Sequence, residues 1–400
     1  MTEPAAAASP LTVYYFARMA FPHGAAHAIQ TVDNCRALAE VGCEVLLING
    51  RRRGWSVERG LGYYGVPPHP RLHVLPSPCL SPGESVFRSR HAQILYAALA
   101  RRRLRPPEPA CIFVRQIPVA ALLLRWRRLF PYPIVFELHN MKTADLLKPE
   151  LTEGERRGLE PKAELERRVL PRLDGVICIA PGAEDLLRRH LSYGGPVAVI
   201  PLGGRVVPDA LSGWDVREGV VYVGSLGPDR GADDLVRAMA LLPGVHLTVV
   251  GGREGANLRR LRSLAGSLGL SNVEFVGFVE PARTEEYLRR ARVGVIPLRE
   301  SSLTDDPRFS LKANQYAGAG LAIAATACRS NLAVFGDGEG ALMFPPGDVA
   351  AMADAIGRLS TEDSLAQGLA ESAYAMAGRT SLENRAEREV EFMLGLARSR

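Results

Sequence analysis

The feature that most constrains this chain is an alternation of short β-rich segments with helical ones, run through twice. In the first half LTVYYFA (Leu11–Ala17) reads as a strand and the AIQTVDNCRALAEVG after it as a helix. CEVLLING, LHVLP, CIFVRQ, PIVFELH (Pro133–His139), GVICIA (Gly175–Ala180) and VAVIP continue the strands, with helical stretches such as FRSRHAQILYAALARRR and ELERRVLPRL between them. Short apolar strands separated by helices predict a parallel sheet covered on both faces. One doubly wound domain is complete by about Pro201. LGGRVVPDALSGW (Leu202–Trp214) then has the Gly, Pro, Asp and Ser content of a linker, and the series restarts with GVVYVGS, HLTVVGG, VEFVGF, VGVIPL and LAIAAT. The expected architecture is therefore α/β, with two doubly wound domains, 1–203 and 217–378, joined by a linker at 204–216. Residues 379–400 are expected to form a helix that packs back on the first domain. Ligands of such sheets bind outside the carboxyl ends of the strands, so a central cleft faced by both domains is the expected site.

Four hundred residues suit two cores rather than one. The start, MTEPAAAASP, has neither a basic nor an apolar region of the kind a signal peptide needs, and the longest apolar run, IPVAALLL from Ile117, falls well short of the ~20 residues that span a bilayer. A cytoplasmic protein is the resulting expectation. The six cysteines form no CxxC and no zinc spacing, so they read as structural. The net charge of +6 is carried mostly by arginines at 51–53, 88–105 and 125–128, without any nucleic-acid-binding signature, which excludes that partner class here. The segment VAALLLRWRRLF (Val119–Phe130) adds a secondary expectation of peripheral contact with the inner membrane face, against core packing as the plainer account of its leucines.

The strongest chemical signal is PRFSLKANQYAGAGLAIAAT (Pro307–Thr326). A loop carrying Ser310 runs into a helix, whose first amides, at Ser310 and Leu311, are free to bind a phosphate. Lys312 lies in the first turn, where a cation is disfavoured unless an anion is near. A second cation, Arg230, follows the strand GVVYVGS in the loop SLGPDRG, so two βα loops of one domain carry positive charge suited to a diphosphate. His139 ends a strand of the first domain. Gly24, Ala25 and Ala26, flanked by His23 and His27, leave backbone room at the start of the first helix. GxSxG, HExxH and the Walker lysine loop are absent, and GxGxxG has no clean match after the first strand. Asp305-Asp306 reads equally as a metal pair or as a turn.

These residues resemble the large retaining glycosyltransferase family four, over nearly the whole chain and most densely from Gly219 to Ile356. GVVYVGSLGPDRGADDLVRAM resembles the family's strand, loop and helix, with Arg230 in the place of its lysine. HLTVVGGREGANLRRLRSLAGSLGLSNVEFVGFV and GDGEGALMFPPGDVAAMADAI resemble two further stretches, and PHGAAHAIQTVDNCRALAEVGCEV and FELHN resemble the first loop and the histidine of the first domain. The resemblance implies the GT-B fold, two Rossmann-like domains, and a hexosyltransferase-type enzyme that takes a nucleoside-diphosphate sugar without a metal or other cofactor. It implies that Arg230 and Lys312 neutralise the donor diphosphate and that the amides of Ser310 and Leu311 hold its distal phosphate. His139 would hydrogen-bond the transferred sugar, Gly24 would approach the phosphates or the acceptor, and Gly277, Phe278 and Val279 would meet the base. The family's Glu-x7-Glu is missing: Pro307 and Gln315 stand in the two positions, and Ser225 stands where an arginine is frequent. Gln315 can still bind a ribose hydroxyl, and Asp306 is the nearest carboxylate to orient the sugar. An active transferase is thus set against a silent GT-B partner subunit and against a related phosphorylase or epimerase.

Overall fold

The computed structural model describes residues 11–77, 86–149, 151–299, 311–336 and 338–399. The chain divides into two compact units, Met1–Pro201 with Arg385–Arg400, and Leu202–Asn384.

Unit one is built on a parallel seven-stranded sheet: β1 (Thr12–Phe21), β2 (Glu44–Arg51), β3 (Leu72–Ser77), β4 (Ala110–Val114), β5 (Ile134–Leu138), β6 (Gly175–Cys178) and β7 (Val197–Val199). The order is β3-β2-β1-β4-β5-β6-β7, so the winding reverses between β1 and β4. Alternate residues of these strands, Tyr14 and Phe16, Leu46 and Ile48, Ile112 and Val114, Ile134, Phe136 and Leu138, form one core layer with Val119, Leu122, Leu123 and Leu124. The apolar face of Val119–Phe130 is therefore spent on the core, which accounts for its leucines. The intervening strand positions face the opposite layer, and there β5 carries Glu137, only 1 % exposed.

Unit two holds a parallel six-stranded sheet: β8 (Val220–Val223), β9 (Leu247–Val250), β10 (Val273–Gly277), β11 (Val293–Ile296), β12 (Ala322–Thr326) and β13 (Leu342–Phe344). Its order, β10-β9-β8-β11-β12-β13, reverses between β8 and β11. Both faces are buried: Val220, Tyr222, Val293 and Val295 on one side, Val221, Val250, Ile296 and Ile323 on the other. Strand β13, in ALMFPPG, was not expected from the sequence, because three residues are too few to show a period.

The stretch read as a linker falls within unit two. Val207 N–H donates to Gly318 O at 2.8 Å, and the Asn314 amide donates to Leu202 O at 2.6 Å. Tyr374 Oη donates to Val207 O at 2.8 Å. Arg217, 5 % exposed, donates to the carbonyls of Ala210, Ala291, Ala319 and Gly320. Gly and Pro mark irregular backbone there, but its carbonyls at Leu202, Val207 and Ala210 accept from Asn314, Tyr374 and Arg217, so the segment is fixed. The terminal helix spans Leu382–Arg398, and from Arg385 it belongs to unit one. The five described cysteines are free and buried, and Cys79 lies outside the described residues.

Candidate functional site

In unit two the relevant groups gather where the strand order reverses, at the carboxyl end of β8. The loop there leaves Val223 through Gly224, passes Ser225, and makes a short 3-10 turn, Pro228–Arg230, before Gly231 opens the helix Ala232–Met239. Tyr222 Oη donates to Ser225 O at 2.6 Å and so holds the exposed serine's backbone in place. Gly231 has φ +69°, and a Cβ there would lie 1.5 Å from Pro297 O, so only glycine fits.

Lys312 sits one residue into the helix Leu311–Gly318. Its stem crosses the β8 loop so closely that a Cβ on Gly224 would lie 2.7 Å from Lys312 Cε, and Gly224 has φ +144°. The Nζ is buried, has no hydrogen-bond partner among the described residues, and lies 3.9 Å from the centroid of the Tyr222 ring. Burial, reinforced by the Arg230 cation and opposed by Asp229, pulls its pKa from 10.5 to about 7. A solvated lysine is thereby ruled out. Arg230 itself is half-exposed, with Nε 3.2 Å from Asp229 Oδ2. An uncompensated buried ammonium is a costly state that a bound anion relieves.

The other donor residues expected in this unit border the same loops. Gly251 N–H donates to Gly277 O at 2.7 Å, tying the ends of β9 and β10 together. Phe278 is 39 % exposed, with the Arg253 guanidinium 4.5 Å over its ring, and Val279 is half-buried. Leu311 is the first residue of its helix and Gln315 lies one turn on, both half-buried. Asp306 and Ser310 fall outside the described residues.

In unit one, Gly24 follows β1, at the strand reversal, and His139 follows β5, one strand from it. Two residues not singled out from the sequence join them. Arg115, just past β4, places Nε 2.9 Å from Glu137 Oε2. It donates to Gln30 Oε1 at 2.8 Å, Thr31 Oγ1 at 3.0 Å and His27 O at 3.3 Å. His139 places Nε2 3.1 Å from Glu137 Oε2, off the line of a hydrogen bond, and Nδ1 3.4 Å from Arg115 Nη2. Burial lowers the pKa of this ring against the upward pull of Glu137, so it is neutral at neutral pH. The sequence signal for Glu137 was a carboxylate at an inward position of an apolar strand, two residues before the histidine. Among the described residues no cluster of three or more His, Cys, Asp or Glu side chains is placed to hold a metal, and no helix is long and apolar enough to cross a membrane.

Two parallel doubly wound units, each with its polar groups at the reversal of strand order, define a GT-B protein, and solved structures agree. A sucrose-phosphate synthase from Thermosynechococcus elongatus superposes with TM-score 0.75 at 22% identity, covering 97% of this chain and 100% of that one. An Anabaena protein, HepE, solved with UDP and glucose, gives TM-score 0.66 at 15% identity over 96% of this chain and 99% of its own. Residues 28–203 match the model described as Glycosyltransferase Family 4, and residues 217–362 match Glycosyl transferases group 1. The chain belongs to this glycosyltransferase family. A D-inositol 3-phosphate glycosyltransferase of Acidothermus cellulolyticus is 33% identical over 191 residues, 45% of this chain and 40% of that relative. The chain spans about a fifth to three fifths of the curated relatives it matches.

Proposed function

We propose that the chain transfers a sugar from a nucleoside-diphosphate sugar to an acceptor, with retention of anomeric configuration and without a divalent metal. The observation that carries this reading is the buried Lys312 ammonium beside Gly224, without a hydrogen-bond partner among the described residues and reinforced by Arg230. As the glycosidic bond to the diphosphate breaks, negative charge grows on the departing oxygen, and fixed cations stabilise it without reorganisation. The amides of Ser310 and Leu311 are proposed to hold the distal phosphate, and His139 a sugar hydroxyl. Gly24, Ser225, Gly277, Phe278, Val279, Asp306 and Gln315 keep the donor-binding roles the family resemblance implies. UDP-sugars are the first donors to try, since HepE was solved with UDP, and inositol phosphate is the first acceptor, from the name of the Acidothermus relative.

The test is release of nucleoside diphosphate by the purified chain from a panel of donors, in the presence of EDTA, with the product anomer read by nuclear magnetic resonance. Activity that survives EDTA and disappears in Lys312→Ala supports the reading. A silent GT-B partner is the competing reading, favoured by Pro307 and Gln315 in place of glutamates. Absence of any nucleotide affinity in calorimetry selects it.

We also propose peripheral membrane contact, now through the helix Val86–Leu104 rather than the core-packed leucines after it. Leu95, Leu99 and Leu104 are 48 %, 64 % and 43 % exposed, and Arg102 and Arg103 continue the face of Leu95 and Leu99. Flotation with phosphatidylglycerol but not phosphatidylcholine vesicles is expected, and no difference between them removes the idea.

A further inference from the structure

The oppositely charged groups in unit one form a chain of which the reaction just proposed uses only the last member, His139. Glu389 and Arg385, one turn apart on the terminal helix, are 0 % and 4 % exposed. Arg385 Nη2 lies 2.6 Å from Glu389 Oε1 and donates to Glu137 Oε1 at 2.5 Å. Its Nη1 donates to Ile200 O at 3.1 Å and Pro201 O at 2.5 Å, and Asn34 Nδ2 donates to Glu389 Oε2 at 2.9 Å. Beyond Glu137 the chain continues through Arg115 to Gln30 and Thr31 on the first helix, and to His139.

Stability alone is a poor account of this arrangement. Buried ion pairs recover little more than their desolvation cost, and apolar side chains of similar volume do as well. A closed pair would also satisfy Glu137. Here one carboxylate oxygen is given to the terminal helix, and the other is shared by Arg115, just past β4, and His139, just past β5. Burial alone would raise the Glu137 pKa, but Arg115, His139 and Arg385 together hold it far below the usual carboxylate range. A permanent negative charge therefore faces Nε2 of His139 and Nε of Arg115.

We propose that Glu137 is the positioning residue for His139 and Arg115, and that Arg385 of the terminal helix holds Glu137 in place. The last helix is then part of the working site of unit one. This rests on the reading in which His139 meets the donor sugar, so its test includes a measurement that needs no substrate.

Histidine-labelled full-length chain is titrated by nuclear magnetic resonance, with His139 assigned by its loss in His139→Gln. In the unmodified chain its midpoint is expected below the ordinary histidine value. Glu137→Gln removes the neighbour that favours the protonated ring and leaves Arg115 and Arg385, so the midpoint falls further. A midpoint that stays or rises overturns the proposal. Should Glu137→Gln not fold, Arg385→Met serves: it removes a cation and leaves the carboxylate, so the midpoint rises. With a donor that supports turnover, Arg385→Met lowers kcat about tenfold or more with donor KM within about threefold, and Arg385→Lys restores most of the loss. A purely structural chain would leave the midpoint and the kcat per folded molecule unchanged, which overturns the proposal. The titration reads the arrangement even if no sugar is transferred, so the two failures are distinguishable.

Discussion

Replacing Lys312 by methionine separates the cost of this residue from its use. Methionine keeps an unbranched apolar stem against Gly224 and the Tyr222 ring but carries no charge. The lysine stands at about 7 in the folded chain against 10.5 ordinarily. At about 1.4 kcal/mol per unit, holding it unpartnered costs the free protein on the order of 4 kcal/mol at neutral pH. Lys312→Met is therefore expected to stabilise the free protein by about 2–4 kcal/mol, raising Tm by roughly 4–16 °C for a unit of this size. The same substitution removes a charge-assisted contact to a diphosphate, worth about 2 kcal/mol, and weakens nucleotide binding roughly thirtyfold. Thermal unfolding without ligand, and calorimetry at pH 7 with whichever of UDP, ADP and GDP binds the unmodified chain most tightly, measure the two effects. A variant less stable than its parent, or one that binds the nucleotide within threefold of it, refutes the argument that Lys312 is held buried for an anion.

The same proton sets two opposite pH dependences. Because the folded midpoint lies below the unfolded one, the unfolded chain holds the extra proton between about pH 7 and 10.5, and the lysine's contribution to stability rises with pH across that window. Nucleotide affinity falls across it, since the complex needs the ammonium; denaturant midpoints and calorimetry at pH 7 and 9 check both, and Lys312→Met flattens both. Arg230→Ala, at a half-exposed side chain with one acidic neighbour, should leave Tm within about 2 °C while weakening nucleotide binding about fivefold in the same calorimetry. Gly224→Ala forces a Cβ to 2.7 Å from Lys312 Cε at φ +144°, and should cost about 1–3 kcal/mol in chemical denaturation and weaken the nucleotide as well.

The two-sheet plan was legible because each strand run is apolar and bounded by glycine or proline, and because the series visibly restarts after Trp214. Strand order was not legible, since pairing joins segments distant in sequence, as β1 with β4 across nearly a hundred residues. Lys312 and Arg230 were readable from position alone, as cations at loop-to-helix junctions. Arg385 was not: in ENRAEREVEF it reads as one solvated charge among many, and only docking of the terminal helix turns it inward beside Glu137. The segment Leu202–Trp214 misled for a related reason. Its composition reports backbone conformation, whereas its fixity comes from Arg217 and Asn314, whose targets are carbonyls that the sequence does not display.

The missing glutamates bear on the proposed chemistry less than their number suggests. Asp229 is the carboxylate whose field opposes the depressed pKa of Lys312, and it belongs to the same loop as Arg230. Pro307 and Gln315, in place of two acids, bring no carboxylate of their own to this junction. An amide at Gln315 still accepts a hydroxyl, so what is weakened is affinity for the sugar and ribose, which is nearly equal in ground and transition states and contributes little to turnover. In the proposed reaction the interaction with the diphosphate strengthens as its bond to the sugar breaks, and that interaction would use Lys312 and Arg230. A chain that had given up catalysis would have no reason to keep an ammonium buried and unpaired among the described residues, at a cost on the order of 4 kcal/mol, because a methionine would fill the same space and stabilise the fold.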